Sequence, residues 1–150
     1  ASYWLYKTEP STSSIEDLRR VGRTPWEGVR NYSARNHLRS AKVGDGVLFY
    51  HSSAKPMAIA GTAKVVKTAY ADPSQFDSRS EYFDKGAKPE EPRWSLVDIE
   101  FVEEFDNPVT LDEMKKMPEL KGMILLKRGR LSVQPVTSAE WTAIVKRGRA

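Results

Sequence analysis

Three capping boxes divide this chain into short helices separated by strand-like segments. Each box pairs a Ser or Thr with a Glu three residues later, so that both side chains satisfy backbone N–H groups at a helix start. The pairs are Ser13 with Glu16, Thr110 with Glu113 and Thr137 with Glu140. They predict helices over roughly residues 14–21, 111–117 and 138–147.

A fourth helix and four strands complete the predicted pattern. Asn31 is a typical helix cap, and Ala34, Leu38 and Ala41 follow at a spacing that places them on one helix face. Alternating or β-branched runs predict strands over roughly residues 3–7, 47–51, 58–67 and 97–101. Gly61 lies inside the third of these runs and indicates a bend or a bulge.

Residues 70–93 contain Pro73, Pro89 and Pro92 together with several acidic groups, so we expect a long surface excursion there. Long irregular loops in compact domains are often functional. Short helices inserted between the strands of a mixed, mostly antiparallel sheet define an α+β domain with a small curled or barrel-like sheet.

The composition narrows the class of protein. A length of 150 residues suits one domain over residues 1–150 with its own hydrophobic core. There are no cysteines, which excludes disulfides, thiol catalysis and thiolate metal sites. No apolar run approaches the roughly 20 residues that a membrane helix needs, and we expect no signal peptide. We therefore expect a soluble, cytoplasmic protein with no membrane partner.

Basic residues concentrate in two segments, although the net charge is only +4. Residues 19–42 carry seven basic side chains against one acidic side chain, and residues 121–150 carry the same ratio. Residues 70–119 carry fourteen acidic side chains against six basic ones. If the two basic segments meet in space, they form a positive face suited to a polyanion. Ordinary solvated helix faces would give the same pattern.

Two stretches combine arginine, amide and aromatic side chains where a core would need Leu, Ile and Val. They are residues 26–36 and 128–136. Arg, Asn and Gln supply donors and acceptors for phosphates and base edges, and Trp or Tyr offers a face on which a base stacks. In the second stretch Arg130, Ser132 and Gln134 alternate, which places them on one side of an extended segment. Both stretches indicate a nucleotide-like ligand.

Five ordered blocks of sequence resemble those of the EVE domain family, a member of the PUA-like group that also contains YTH and ASCH domains. The blocks are YWLYKTEP (3–10), WEGVRNY (26–32), FYHS (49–52), PRW (92–94) and GRLSVQPV (129–136). The resemblance implies a pseudo-barrel of about six strands flanked by short helices, with a pocket for a modified nucleobase. YTH readers grip a methylated adenine of RNA in an aromatic cage. EVE domains are associated with modified bases in DNA, such as 5-methylcytosine and its hydroxymethyl relative.

Aromatic side chains are the first candidates for this pocket. Trp26 lies in a turn before a helix, where a ring can be presented to a ligand, and by position it corresponds to a cage tryptophan of the YTH readers. The alternative for Trp26 is a core tryptophan that covers the end of the barrel. Trp94 leads a strand and is either a ligand contact or a core residue, whereas Trp4 and Trp141 are expected to be structural.

Polar candidates lie at the ends of predicted strands. Tyr50, His51 and Ser52 end one strand, and His51 either donates to a ligand or makes a buried structural hydrogen bond. Lys7 and Glu9 alternate at the end of the first strand. Glu9 would accept from an exocyclic amine such as cytosine N4, unless Lys7 and Glu9 form an ion pair. Because His51 and Ser52 point to opposite faces, they do not make a hydrolase pair.

The remaining candidates are a helix cap, two polar side chains and four arginines. Asn31 either caps the following helix or reads a base edge through its amide. Ser132 and Gln134 are expected to contact the base. The arginines assigned to phosphates are Arg30, Arg35, Arg128 and Arg130.

We therefore expect a non-catalytic module, with no cofactor and no metal, that recognises a modified base, in the first place a modified cytosine in DNA. Its partners would be nucleic acid and, for a reader without a nuclease of its own, a separate effector protein. Three alternatives stay open: a PUA-type RNA-binding protein, a small nucleotide-acting hydrolase of the ASCH type, and a pocket for a free nucleoside or metabolite. Steep salt dependence would separate the polymer binders from the last of these.

Overall fold

One six-stranded sheet with helices on both faces organises the computed structural model, which describes residues 2–8, 14–52, 56–127 and 130–150. The strands are β1 (Tyr3–Thr8), β2 (Arg23–Pro25), β3 (Gly46–His51), β4 (Ala58–Ala71), β5 (Ser95–Thr110) and β6 (Val133–Val136). The helices are α1 (Ile15–Val21), α2 (Tyr32–Ser40), α3 (Leu111–Lys115), α4 (Ile124–Lys127) and α5 (Ser138–Gly148). Short 3₁₀ turns lie at Pro73–Phe76 and Pro118–Leu120. None of the described helices is long and apolar enough to cross a membrane.

The strand order β2-β5-β4-β3-β1-β6 makes the sheet mixed but mostly antiparallel. Among the described strands, β1 and β3 run parallel, and the other four pairings are antiparallel. Although β2 lies four places from β1 in this order, the Trp26 ring directly after β2 lies 5.5 Å from the Tyr6 ring of β1. The sheet must therefore curl strongly. The predicted α+β class with a curled, mostly antiparallel sheet is confirmed.

Irregular pairing of β4 with both of its neighbours is compatible with this curl. The pairing of β4 with β5 shifts register at four points, and the pairing with β3 shifts once. One shift includes Gly61, where a Cβ atom would collide with the backbone carbonyl of Glu103. The bend or bulge predicted at Gly61 is therefore confirmed as a break in the strand register, and glycine is needed there because the two strands approach so closely. Each bulge adds local twist, which lets long strands bend.

Alternation along β3 divides the core into two layers. Val47 and Phe49 point into the layer beneath α1 and α2, whereas Leu48 and Tyr50 point into the layer beneath α3, α4 and α5. All four side chains are almost completely buried, and full burial of such a side chain contributes about 1.5–3 kcal/mol. Both faces of the sheet are therefore covered, and its ends are left to form a site.

The predicted helix starts are confirmed for α2, α3 and α5. Asn31 caps α2, and the boxes at Thr110 and Thr137 open α3 and α5 with both of their hydrogen bonds formed. The excursion predicted over residues 70–93 is shorter than expected, because β4 continues through Ala71 and a 3₁₀ turn follows it.

The first capping box was predicted one residue too early. Ser14 is the cap of α1: its hydroxyl accepts from Asp17 N at 3.1 Å, while the Asp17 carboxylate accepts from Ser14 N at 3.1 Å. Asp17 thus takes the role that the pattern gives to Glu or Gln. The pair of Ser13 with Glu16 was wrong for that reason, and Ser13 itself lies outside the described residues.

Candidate functional site

A cleft of about 580 Å³ opens beside the end of β1, where the two ends of the curled sheet come together. It is lined by Lys7, Thr8, residues 24–30, Glu81, Tyr82 and Ser132. Four segments that are distant in sequence therefore converge on one cavity. Its volume lies in the range of small-molecule sites, which is about 300–1,000 Å³.

Trp26 belongs both to the core and to the cleft. It is 8% exposed, and its ring packs 5.5 Å from the rings of Tyr6 and Phe49. Its backbone N–H donates to Val97 O at 2.8 Å, which continues the pairing of β2 with β5. The two alternatives predicted for Trp26 are thus not exclusive, because the residue packs in the core and also lines the cleft. A ring held this firmly loses little freedom when a ligand contacts it.

Tyr82 is an aromatic residue of the cleft that sequence reasoning missed. Gly28 has a positive φ of 85°, and a Cβ atom there would lie 2.6 Å from Tyr82 Cζ. The Tyr82 ring therefore lies directly against the Gly28 backbone, in space that any other residue would fill. The signal in the sequence was an aromatic pair, Tyr82 and Phe83, inside an otherwise polar and irregular segment.

Asp72 joins the glycine turn to the segment that carries Tyr82. Its buried carboxylate accepts from Gly28 N at 2.8 Å, from Ser74 N at 2.9 Å and Ser74 Oγ at 2.5 Å, and from Arg30 Nη1 at 3.3 Å. Burial alone would raise the pKa of Asp72, but the hydrogen bonds from Ser74 and Gly28 and the charge of Arg30 outweigh it and lower this pKa below its usual value. Asp72 therefore stays ionised and fixes the shape of this wall.

Arg30 is fully engaged within the protein. Its five N–H groups donate to Val29 O, Tyr82 O (twice), the Asp72 carboxylate and Ser74 Oγ, at 2.7–3.3 Å. In this arrangement no N–H group remains for a phosphate. The assignment of Arg30 to a phosphate is therefore revised: its side chain holds the Tyr82 segment against the turn at residues 26–30.

Several charged and polar residues belong to the lining of the cleft. Lys7, on β1, is partly buried, and burial lowers its pKa. Its backbone N–H donates to the carbonyl of Ser132, another lining residue, at 2.9 Å. Burial raises the pKa of Tyr82, and the carboxylates of Glu81 and Glu27 raise it further. The Lys7 Nζ, however, lies over the Tyr50 ring, 5.7 Å from its centroid and in the opposite core layer. The groups that the cleft offers to a base edge are therefore the Glu81 carboxylate, which accepts from an exocyclic amine, and the Ser132 hydroxyl.

The residues at the end of β3 have structural partners within the protein. His51 Nε2 accepts from Ile15 N at 3.1 Å, which satisfies an N–H group at the start of α1. Ser52 N and Ser52 Oγ donate to Thr8 O at 2.8 and 3.2 Å. Tyr50 is buried in the opposite layer of the core. The structural alternative for His51 is therefore confirmed, and none of the three candidates lines the cleft.

Asn31 and Trp94 also have structural partners. Asn31 Oδ1 accepts from Ala34 N at 2.9 Å, as expected for a helix cap. Trp94 is buried, donates from Nε1 to the Asp84 carboxylate at 2.7 Å, and stacks on the Tyr32 ring with 5.0 Å between centroids. Both residues lie outside the lining of the cleft.

The alternation predicted for Arg130, Ser132 and Gln134 was wrong, because β6 begins only at Val133 and a bend precedes it. Ser132 lines the cleft, whereas Arg130 is exposed outside the cleft lining. Gln134 is fully buried, and its Nε2 donates to Leu131 O at 2.8 Å. Of the three, Ser132 is the one that the structure brings to the cavity.

The remaining predicted positions lie either outside the described residues or outside the lining of the cleft. Glu9 and Arg128 lie outside the described residues. Arg35 lies on α2, away from the cleft lining. Trp4 is buried and Trp141 stacks on a ring of β1, so the structural roles expected for both are confirmed.

A curled six-stranded sheet that is flanked by short helices and carries a ligand-sized cleft at its end is the architecture of PUA-like proteins. A family model described as the EVE domain matches residues 2–147, and the chain belongs to the EVE domain family. Thymocyte nuclear protein 1 of Homo sapiens is 40% identical to it over 164 residues, which cover 97% of this chain and 73% of the human protein.

Solved structures agree with this assignment. A hypothetical protein from Leishmania major has a TM-score of 0.95 and 48% identity, covering 98% of this chain and 94% of its own. Human THYN1 protein in complex with 5-methylcytosine-containing DNA has a TM-score of 0.95 and 38% identity, covering 100% of this chain and 99% of its own. A YTH domain of Zygosaccharomyces rouxii, in complex with N6-methyladenosine RNA, has a TM-score of 0.59 at 13% identity, covering 99% of this chain and 87% of its own. At that identity the likeness shows a shared fold alone.

Proposed function

We propose that this chain is a non-catalytic nucleic-acid-binding module that takes one modified base, a modified cytosine of DNA, into the cleft beside Trp26. The observation that carries the proposal is the cleft itself, with Trp26 fixed in the core on one side and Tyr82 on another. The human relative that is 38% identical, and was solved with 5-methylcytosine-containing DNA, supports the choice of ligand.

The energetics of this binding set limits on affinity and selectivity. A base of duplex DNA must leave its stack, which costs a few kcal/mol. Stacking on an aromatic side chain such as Trp26 returns about 1–3 kcal/mol. Ser132 and Glu81 then offer a hydroxyl donor and carboxylate acceptors to the base edge. One additional methyl group in a pocket contributes about 1–3 kcal/mol, so we expect a preference of roughly 10- to 200-fold for the modified base.

Each remaining part of the site has a role in this proposal. Arg130 is exposed two residues before Ser132 and would contact a phosphate next to the bound base. Asp72 and Arg30 would act as positioning residues, because they hold the Gly28 turn and the Tyr82 segment together before any ligand arrives. A cleft formed in advance reduces the ordering cost of binding.

Fluorescence anisotropy with short DNA and RNA strands tests the proposal. Each strand, single or duplex, carries cytosine, 5-methylcytosine or N6-methyladenine at one position. The test variant is Trp26→Leu, and the matched control is Trp4→Leu. Both tryptophans are buried in the same core layer, at 8% and 6% exposure, but Trp26 lines the cleft and Trp4 does not. Unfolding curves establish that each variant is folded.

We expect tighter binding to DNA that carries 5-methylcytosine, loss of that preference in Trp26→Leu, and its retention in Trp4→Leu. Equal affinity of the wild type for modified and unmodified DNA would contradict the proposal. A preference for methylated DNA that is undiminished in folded Trp26→Leu would contradict it as well. A consistent preference for RNA would favour the PUA-type RNA-binding alternative.

The absence of catalysis is part of the proposal and has its own test. Within the described residues no cluster of metal-ligating side chains is present, and His51 is engaged by Ile15 N. End-labelled methylated and unmethylated DNA, incubated with the protein and Mg²⁺, should stay intact and keep its base. Protein-dependent strand cleavage or base loss that disappears in Trp26→Leu would show instead that the cleft performs chemistry.

A further inference from the structure

The exposed face of α2 carries two arginines that have no carboxylate partner in the part of the chain that the structure describes. Arg35 and Arg39 are four residues apart and therefore lie on one side of the helix, and α2 contains no acidic residue. Of the eleven described arginines, eight form an ion pair with Asp or Glu, and Arg35, Arg39 and Arg130 do not. This pattern sets Arg35 and Arg39 apart from most of the other described arginines.

The two guanidinium groups are held close to each other by neutral acceptors. Arg35 Nη1 and Arg39 Nη2 both donate to the carbonyl of Arg93, at 3.1 and 3.4 Å. Arg39 Nε donates to Ser95 Oγ at 3.0 Å, and Arg35 Nε and Nη2 donate to Asn36 Oδ1. Burial and the neighbouring charge of Arg35 lower the pKa of Arg39. The fold thus keeps two like charges together, which is unfavourable unless an anion lies nearby.

Unused donors remain on both side chains. Three of the five N–H groups of Arg35 and two of those of Arg39 donate within the described part of the protein. The others have no hydrogen-bond partner among the described residues. A guanidinium with free N–H groups suits a phosphate oxygen, and the planar fork favours phosphate over a simple halide ion.

A continuous stack of rings and guanidinium groups connects this face to the cleft. The Arg30 guanidinium lies 5.6 Å from the Tyr82 ring, which lines the cleft, and 5.4 Å from the Trp94 ring. The Tyr32 ring stacks on Trp94 at 5.0 Å, and the Arg35 guanidinium lies 4.8 Å above Tyr32. Each step is short, so the α2 face lies within reach of the strand whose base occupies the cleft.

We propose that the α2 face, formed by Tyr32, Arg35 and Arg39, binds the sugar-phosphate backbone of the DNA strand whose base enters the cleft. This inference rests on the proposed function. Tyr32 contacts both the Trp94 ring and the Arg35 guanidinium, so it helps to position Arg35 beside the rings that lead to the cleft. The α2 face reads no base, so it contributes affinity that is independent of sequence and of base modification.

The test compares two double variants that remove the same charge. Arg35→Gln/Arg39→Gln removes the unpaired arginines, and Arg19→Gln/Arg20→Gln removes two exposed arginines of α1 that are paired with Glu104 and Asp17. Affinity for a short duplex with 5-methylcytosine, and for its unmodified counterpart, is measured between about 50 and 200 mM salt. Thermal unfolding establishes that both variants are folded.

We expect Arg35→Gln/Arg39→Gln to lose at least tenfold in affinity at low salt, by the same factor for both duplexes. The slope of log affinity against log salt should become shallower by about two, one for each lost phosphate contact. The α1 variant should keep most of the wild-type affinity and slope.

Two results would overturn the inference. One is an unchanged slope of log affinity against log salt in the α2 variant, and the other is an equal loss of affinity in both variants. A wild type that binds no DNA would overturn it as well. If the wild type does not distinguish the two duplexes but the α2 variant still shows the shallower slope, the modified-base proposal fails and the α2 face stands.

Discussion

At the scale of single residues, the cleft depends on two positions where side-chain size decides the geometry. Trp26 fills space between Tyr6 and Phe49 and presents a rigid surface to the cleft. Gly28 has no side chain, and the ring of Tyr82 occupies the space where one would be. The width of the cleft is therefore set by the large residue and the small one together.

Gly28→Ala should reduce both stability and ligand binding. A non-glycine residue at positive φ costs about 1–2 kcal/mol, and the new Cβ atom would also displace the Tyr82 ring. Gly22→Ala is the matched control, because Gly22 has a similar φ of 81° but nothing lies within 4 Å of its added Cβ. Denaturant unfolding should show a larger loss for Gly28→Ala, and binding of methylated DNA should weaken in that variant alone. Equal losses of stability in the two variants, with binding intact, would mean that the Tyr82 contact has no importance.

His51 links the end of β3 to the start of α1, and it does so as a neutral imidazole. Burial lowers the pKa of His51, against a weaker opposing effect of Glu104 and Glu16. The usual pKa of His is about 6.5, so the unfolded chain takes up this proton first, and stability should fall as the pH drops below that value. Protonation would also remove the acceptor for Ile15 N.

The His51→Gln variant should lose part of this pH dependence, since an amide oxygen can still accept from Ile15 N but does not titrate. Unfolding free energies measured between about pH 7.5 and 5 test this expectation. Burial lowers the pKa of His37 as well. The pH dependence of the unfolding free energy in His37→Gln therefore shows how much of the wild-type effect comes from His37 instead of His51. A pH dependence in His51→Gln identical to that of the wild type would rule out this role for His51.

At the scale of elements, the segment between β4 and β5 is a structural part of the site rather than a covering loop. It supplies Asp72, Ser74 and the carbonyl of Tyr82, all of which bind either Gly28 or Arg30. These contacts join residues that are 42 to 52 positions apart in the chain. Sequence reasoning noted the length and acidity of this segment, but such distant partners leave no local pattern, so its role was not predictable.

Asp72→Asn should destabilise the protein by about 2–3 kcal/mol at pH 7, because a buried carboxylate loses charged hydrogen bonds to Ser74, Gly28 and Arg30. The pKa of Asp72 in the folded protein is lower than its usual value. Its contribution is therefore complete above about pH 4 and is lost as the pH falls through the folded pKa. The difference between wild type and Asp72→Asn should accordingly narrow in acid.

Asp77→Asn is the control for this experiment, because Asp77 lies in the same segment but is exposed. Its substitution should change the unfolding free energy by no more than about 0.5 kcal/mol. Chemical denaturation at neutral and acidic pH measures both variants. A constant difference between wild type and Asp72→Asn at all pH values would contradict the account of this carboxylate.

At the scale of the whole molecule, local patterns predicted the elements, and long-range geometry determined the site. Caps and alternation act over a few residues, which is why α2, α3, α5 and the α+β class were predictable. The curl of the sheet arises from bulges whose register depends on partner strands, so the approach of Trp26 to Tyr6 was not visible in the sequence. The candidates for contacts with base edges and phosphates were chosen by residue type alone. The side chains of several of them instead form hydrogen bonds that stabilise helix starts and turns.

The distribution of charge over the molecule also became clear only in three dimensions. The basic segments do meet, since α2 packs against β6. However, Arg147 and Arg149 of the carboxyl-terminal segment are paired with Glu113 and Glu103 at 2.6 and 2.8 Å. Two basic residues of that segment are therefore neutralised by carboxylates, whereas Arg35 and Arg39 of the α2 face have no carboxylate partner among the described residues.

NMR chemical-shift mapping with a short DNA strand that carries 5-methylcytosine would show where on the protein the modified base binds. We predict that the indole N–H of Trp26 and the backbone amides of Gly28, Tyr82 and Ser132 shift on binding, while the indole N–H of Trp141, on the far core layer, does not. The unmodified strand should shift the cleft signals more weakly at the same concentration. Shifts confined to surfaces outside the cleft, with the Trp26 indole unchanged at saturation, would contradict the claim that the modified base is bound there.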